Sequence, residues 1–341
     1  MIIKMEAIDT LFFRDGKPFG GSDDNWADSL NFPSLSVIYG AVRSAYFSQN
    51  NLDFSLANTD EDITKSLRIN GVYFYSEKEN DLMFIVPQDL YVCDQKLKFF
   101  NLKKNITTSS SLDFIFETTE DDIEKKDVFL FYSTFQDYIE VYENEFDYEE
   151  IEKFLKTESK IGIGLNKSIK NVEEGKIYRI GAKRYKKLSL IVDFEGIELE
   201  KKGLLRLGGE GKAVYYEEFN ELDIPKIDKI SGDVFKMYLL TPAIFKNGWY
   251  PDFLGDNFEG EVNGVRIKLI AASLGKNEYI GGWDIRKNSP KPMYKAVPVG
   301  SVYYFKVLDK KEDVLKIDNI MDNEEYRKQG FGKIIIADYK E

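Results

Sequence analysis

Residues 34–49, SLSVIYGAVRSAYFSQ, and the run that opens the chain, residues 1–10, MIIKMEAIDT, decide the fold between them. In the first, Leu35, Ile38, Tyr39, Val42, Tyr46 and Phe47 recur at spacings of 3, 4 and 7, giving one apolar face at the helical period. Pro33 stands just ahead, and Ser34 or Ser36 is placed to cap. Residues 1–10 have the length and apolar content of a strand, and the intervening residues 14–33, rich in Gly, Asp, Asn and Ser, read as a long loop. Past the helix, residues 70–75 and 82–86 read as a strand pair about a turn at 79–81. Strand, long loop, helix and hairpin is how a ferredoxin-like βαββαβ unit opens.

The chain has 341 residues, room for about two domains at roughly 150 residues each. Residues 188–194 form another strand candidate. The pattern then breaks at 224–233, IPKIDKISGD, and the domain junction is placed there. Residues 236–240, 265–271, 302–307 and 333–337 follow as short β-rich runs between Gly- and Pro-bearing loops, with few convincing helices. The expected division is 1–222 and 234–341.

There is no histidine and a single cysteine, Cys93. This excludes a histidine-based nucleophile or general base, imidazole zinc sites, disulfides and CxxC chemistry. Glu6 and Asp9 interrupt the opening where a signal peptide needs apolar residues, and no run reaches about 18 apolar residues. A cytoplasmic protein without membrane contact is expected. The net charge of -12 argues at first against nucleic acid, but it is unevenly spread. Residues 113–158 hold 16 acidic residues against four lysines, whereas 160–187 hold nine basic residues against two glutamates. Outside 113–158 the chain is near neutral overall, and a basic surface suited to a polyanion lies beside an acidic one.

Several glycine clusters carry a cation: Lys160, Gly162, Gly164, Asn166 and Lys167; Gly208, Gly209, Gly211 and Lys212; and 330–333, GFGK. Backbone amides in such loops form anion nests to which lysine adds charge, although turn chemistry alone also explains them. None is a nucleotide fingerprint. The long loop carries Arg14, Lys17 and Trp26, and Arg43 lies one helical turn past Tyr39, able to present a phosphate contact or simply to face solvent. Residues 281–295 interleave Arg286, Lys287, Lys291 and Lys295 with Trp283 and Tyr294, the mixture single-stranded nucleic acid requires, on an arm kept extended by Pro290 and Pro292. The acidic pairs at 23–24 and 121–122 lack a third ligand, so no metal site and no cofactor are expected.

LFFRDGKPFG (11–20), Trp26 and FPSLSVIYGAVRSA (32–45) resemble the amino-terminal signature of the third subunit of the Cmr complex, the RAMP-superfamily subunit of the type III-B CRISPR RNA-guided effector. IGIGLNKSIKNVEEGKIYRI (161–180), RLGGEGKA (206–213), GGWDIRKNSPKPMYKAVPVGSVYYF (281–305) and GFGK (330–333) follow in the family's order, so the likeness runs end to end. One departure stands at the helix entry, where Leu35 follows Ser34 in place of a proline-rich turn. The resemblance implies an α+β protein of two ferredoxin-like, RRM-related domains with insertions. It implies a non-catalytic subunit that holds the 5′ tag of the CRISPR RNA, joins the large polymerase-like subunit to the backbone RAMP subunit, and meets target RNA only indirectly. Carried onto this chain, the tag groove is lined by Arg14, Lys17, Trp26, Ser36, Tyr39, Arg43, Lys160, Gly162, Gly164, Asn166, Lys167, Gly208, Gly209, Gly211 and Lys212, with Trp283, Arg286, Lys291 and Lys295 on the arm. The acidic segment is expected away from RNA, as a helical insertion or a docking face. Two other readings stay open: a RAMP-type endoribonuclease working through Lys, Tyr or Arg, and an assembly adaptor whose glycine loops are only turns.

Overall fold

A computed structural model describes residues 1–14, 26–106, 111–165, 172–209, 211–284 and 289–340. The chain is a sheet-rich α+β protein. In the amino-terminal half, β1 (Ile2–Ala7) leads to α1 (Leu35–Gln49), β2 (Arg68–Ser76), β3 (Asp81–Ile85), β4 (Val128–Phe131) and α2 (Tyr132–Glu140). Then come β5 (Leu155–Leu165), β6 (Val172–Tyr185), β7 (Leu188–Glu195), β8 (Lys202–Arg206) and β9 (Ala213–Glu218). The main sheet runs β4-β3-β2-β7-β1-β9-β8, with the two-residue strand Glu149–Glu150 beyond β4, and every neighbour pair is antiparallel. The carboxy-terminal half contains β10 (Val234–Leu239), β11 (Glu259–Val262), β12 (Val265–Ser273), β13 (Val302–Asp309), α3 (Glu324–Lys328) and β14 (Ile334–Asp338). Its antiparallel sheet runs β11-β12-β13-β10-β14.

The local periodicities explain the first elements. Ile3 and Met5 alternate into the core from β1, and Leu35, Ile38, Ala41, Val42 and Ala45 form the buried face of α1. Ser34 occupies the N-cap with extended backbone. The β2–β3 hairpin forms with Phe74 opposite Met83 and Tyr75 opposite Leu82. It differs in one respect from the simple opening. β1 and β2 run parallel, joined through α1, and the strand that fills the place between them is β7, not β3. The composition of β7 suits that place, since Leu190, Ile191, Val192 and Phe194 are all buried, as a strand covered on both faces requires.

Both halves then show one strand order. Counting only β1, β2, β7 and β9 in the first half and β10, β12, β13 and β14 in the second, the orders β9-β1-β7-β2 and β14-β10-β13-β12 place the fourth of these beside the first, then the third, then the second, the order of a ferredoxin-like sheet. The helices are divided between the halves. The amino-terminal half keeps a helix after its first strand, and 196–212 supply β8 where a second helix would stand. The carboxy-terminal half has no helix after β10, and carries a short 3-10 turn (Lys311–Lys316) and α3 before β14.

The acidic segment is not a detached insertion. Val128, Phe129 and Leu130 lie inside the main sheet, and α2 buries Phe135, Tyr138 and Ile139. Phe135 stacks on Phe84 at 4.2 Å and meets Tyr238 at 4.8 Å, so α2 bridges the two sheets. The carboxylates turn outward and many find lysines, as Asp113 does with Lys268, Glu117 with Lys103 and Asp147 with Lys96. Residues 224–233 have neither helix nor strand, and Ile227 and Ile230 anchor them in a core shared by both halves. Among the described residues no helix is long and apolar enough to cross a membrane.

Candidate nucleic-acid interface

Asp9 stands just beyond β1, and cations from three separate segments converge on its carboxylate. Lys160 of β5 reaches Oδ2 at 3.2 Å, Lys212 of the β8–β9 turn reaches the same oxygen at 3.3 Å, and Arg184 of β6 reaches Oδ1 at 3.1 Å. Arg184 also grips both oxygens of Glu158. The Thr10 amide, then Lys160 and Lys212, hold the Asp9 carboxyl well below the usual carboxylate range, and Arg184 lowers that of Glu158.

The backbone explains the convergence. In the β5–β6 hairpin, Lys156 faces Arg184, Glu158 faces Ala182 and Lys160 faces Ile180, so these positions share one face. The hairpin docks through reciprocal 2.8 Å bonds between Leu11 and Lys183 and through the Ser29 amide to the Gly181 carbonyl. On the other side the turn at 207–212 is clamped to the loop after β1, where the Gly209 amide donates to the Phe12 carbonyl at 2.8 Å. Gly208 has φ +85°, and a Cβ there would stand 2.6 Å from the Phe12 oxygen, so glycine is required and the turn aims Lys212 at Asp9.

Arg14, Trp26, Lys160, Gly208, Gly209, Gly211 and Lys212 belong to the segments assembled here. Arg14 forms an isolated bridge with Ser29, and Trp26–Asp28, expected as loop, is a short strand parallel to β6 at 179–181. Gly211 has φ +64° and faces open space. The glycine loops themselves need correcting. Gly162 and Gly164 lie within β5, near a bulge between Ile163 and Leu165, because IGIGL alternates as a strand does. The Gly209 amide is already engaged by Phe12, so the 208–211 turn contributes a positioned lysine more than an amide nest. Lys17, Asn166, Lys167 and Arg286 lie outside the described residues.

Ser36, Tyr39 and Arg43 serve elsewhere. Arg43 reaches Asp62 at 2.6 Å, Thr64 at 2.8 Å and Asn58 at 3.0 Å, with its guanidinium 5.6 Å from the Tyr39 ring centroid. A guanidinium so engaged binds α1 to the 58–64 loop, so Arg43 is not a plain surface arginine. Ser36 donates to Gln329 at 2.6 Å, linking α1 to the end of α3. Lys333 pairs with Asp318 at 2.9 Å, a structural role.

The arm is a hairpin in which Glu278–Ile280 pairs with Tyr294–Ala296 and Trp283–Asp284 with Ser289–Pro290. It exposes Tyr279, Met293, Tyr294, Lys291 and Lys295, while the Tyr294 ring meets Tyr326 of α3 at 5.7 Å. Sequence reasoning missed Asp9 as the hub and saw Arg184 only within a charge count. Among the described residues no group of three side chains is arranged to hold a metal.

A profile of the CRISPR-associated protein family (Cas_Cmr3) matches residues 3–338. No curated protein matches the sequence. Among solved structures, a chain of the type III-B Cmr-beta complex bound to cognate target RNA shares the fold with a TM-score of 0.55 and 18% identity, over 98% of this chain and 96% of that one. A second, from the same kind of complex bound to cognate target RNA and AMPPnP in state 1, gives 0.53 and 16% over 89% and 86%. The fold is therefore one found in type III-B Cmr assemblies, and with a profile match reaching from β1 to β14 the chain belongs to the Cas_Cmr3 family of CRISPR-associated proteins.

Proposed function

We propose that this protein is a non-catalytic subunit of a type III-B CRISPR effector complex that holds the 5′ tag of the guide RNA. In this reading it joins the large polymerase-like subunit to the backbone RAMP subunit and meets target RNA only through the guide. One observation carries the RNA-holding role: Lys160, Arg184 and Lys212 are drawn from segments far apart in the chain to one place beside the loop after β1. Cations preassembled in this way neutralise phosphates at little further ordering cost, while base reading falls to neighbouring polar and aromatic groups. With no histidine in the chain, acid-base help in strand cleavage has no ready donor, and chemistry is left to partner subunits.

The test is fluorescence anisotropy of the full chain with labelled RNA, with and without the tag, together with a gel assay on precursor RNA. Tag-dependent binding without shortened products supports the proposal. Metal-independent cleavage would establish the endoribonuclease reading in its place, and absence of both binding and cleavage would leave an adaptor. Lys160→Gln with Lys212→Gln is expected to weaken binding and flatten its salt dependence by about 0.7 in log-log slope for each lost phosphate contact.

A further inference from the structure

The hairpin face that carries the Asp9 cluster continues past it. Lys156 lies directly across from Arg184, and Lys186 follows Arg184 by two residues, with its amide donating to the Phe154 carbonyl at 2.8 Å. Strand alternation puts Lys156 on the face of Glu158 and Lys160, and Lys186 stands just past the end of β6, held against Phe154 by its amide. With Lys156 opposite Arg184 and the Lys186 amide on Phe154, the two lysines are diagonal neighbours across the hairpin, and the Lys186 ammonium is pushed below its usual value chiefly by Lys156, then by burial. Among the described residues no ion pair joins a carboxylate to either, and Glu158, two positions from Lys156 along β5, is taken by Arg184. Two ammonium groups together without a counter-charge repel, and an anion placed between them removes that cost.

We propose that Lys156 and Lys186 form a subsite for one backbone phosphate of single-stranded RNA, extending the cationic track away from the Asp9 cluster. The inference rests on the RNA-holding reading and adds to its surface. The anion is assigned as a phosphate for two reasons. Its separate non-bridging oxygens can each accept from one ammonium, which matches two lysines sharing one point. The pair also continues a track, since Lys156 and Lys160 stand about 13 Å apart along β5 at about 3.3 Å per residue, a distance that two nucleotide steps of one extended strand span. Among the described residues the five cations Lys156, Lys160, Arg184, Lys186 and Lys212 pair with Asp9 and Glu158, so the track is formally +3.

The experiment uses the full chain, a labelled single-stranded RNA carrying the tag, and poly-glutamate as an acidic-peptide probe. Lys156→Gln with Lys186→Gln is expected to lower RNA affinity severalfold and flatten the salt slope by about 0.7, the loss of one shared phosphate, while the arginine pair at both positions keeps the slope. Unchanged affinity and slope overturn the subsite. If only the Lys160→Gln, Lys212→Gln protein loses affinity, the subsite is wrong and the RNA-holding reading stands; if the unaltered chain binds no RNA, both fall. Loss of poly-glutamate binding with RNA binding intact assigns the pair to an acidic protein partner and likewise overturns the proposal. Both lysines sit at the surface, so unchanged thermal melting of the glutamine variant identifies any affinity loss as one of binding.

Discussion

The ammonium of Lys236 meets the carboxylate of Asp89 at 3.7 Å with both side chains sealed from solvent. The hydroxyls of Tyr138 and Tyr304 donate to the same carboxylate at 2.9 and 2.6 Å, and the ammonium lies 3.9 Å from the Tyr138 ring centroid. Asp89 follows β3, Tyr138 lies on α2, and Lys236 and Tyr304 belong to the carboxy-terminal sheet, so one polar cluster sets the register between the halves. Burial pushes the Lys236 amine below its usual value, against the pull of Asp89. Removing one partner leaves a buried charge alone, which costs more than removing both. Asp89→Ala is expected to destabilise by about 3–5 kcal/mol in urea unfolding, with Asp89→Leu plus Lys236→Met regaining most of the loss. Equal losses in the single and double variants would refute the pairing argument.

Asp9 links the cationic hub to acid. Its carboxyl is held below the unfolded value of about 3.9, so its contribution to stability is full above that pH and fades as pH falls through the lower folded value. The difference in melting temperature between the unaltered chain and Asp9→Asn is expected to stay constant from pH 7 to 5 and to shrink below about pH 3.9. A difference that grows in acid would contradict this sign.

Arg43 offers a test between structure and ligand. Its side chain and that of Asp62 are 13% and 4% exposed, so Arg43→Ala strands a nearly buried carboxylate. A loss of about 3 kcal/mol in chemical denaturation is expected, with RNA affinity of the folded protein unchanged. Intact stability with weakened RNA binding would return Arg43 to the interface.

Gly208→Ala combines strain at positive φ with a close approach to the Phe12 carbonyl. The cost is expected at about 1–3 kcal/mol, and because the turn aims Lys212, RNA affinity falls with it. A variant that melts and binds as the unaltered chain does would show the turn to be adaptable.

How far the sequence revealed all this depends on range. The face of α1 was legible because Leu35, Ile38 and Val42 repeat at the helical period, and β1, β7 and the four runs that became β10, β12, β13 and β14 were legible as short apolar segments. The position of β7 between β1 and β2 was not, since nothing near residue 190 encodes a pairing with residue 5. Asp9 was missed for the same reason: its three cations lie 151, 175 and 203 residues away. An isolated acid opposes phosphate binding until those partners are in place. The cationic face was closer to hand, as Lys156, Glu158 and Lys160 alternate at the strand period. Charge counting obscured the acidic segment, whose apolar positions Val128, Leu130, Phe135 and Tyr138 decide where it sits.

The central place of β1 has a consequence for how the protein is made. Its partners are β7 and β9, so β1 finds no edge to join until residues beyond 188 have emerged. At about 5–20 residues per second that wait is on the order of ten to forty seconds, during which Ile3 and Met5 stay unburied. Folding of the amino-terminal half thus waits on synthesis, and the nascent chain passes through a stage in which the apolar residues of β1 have no sheet to cover them.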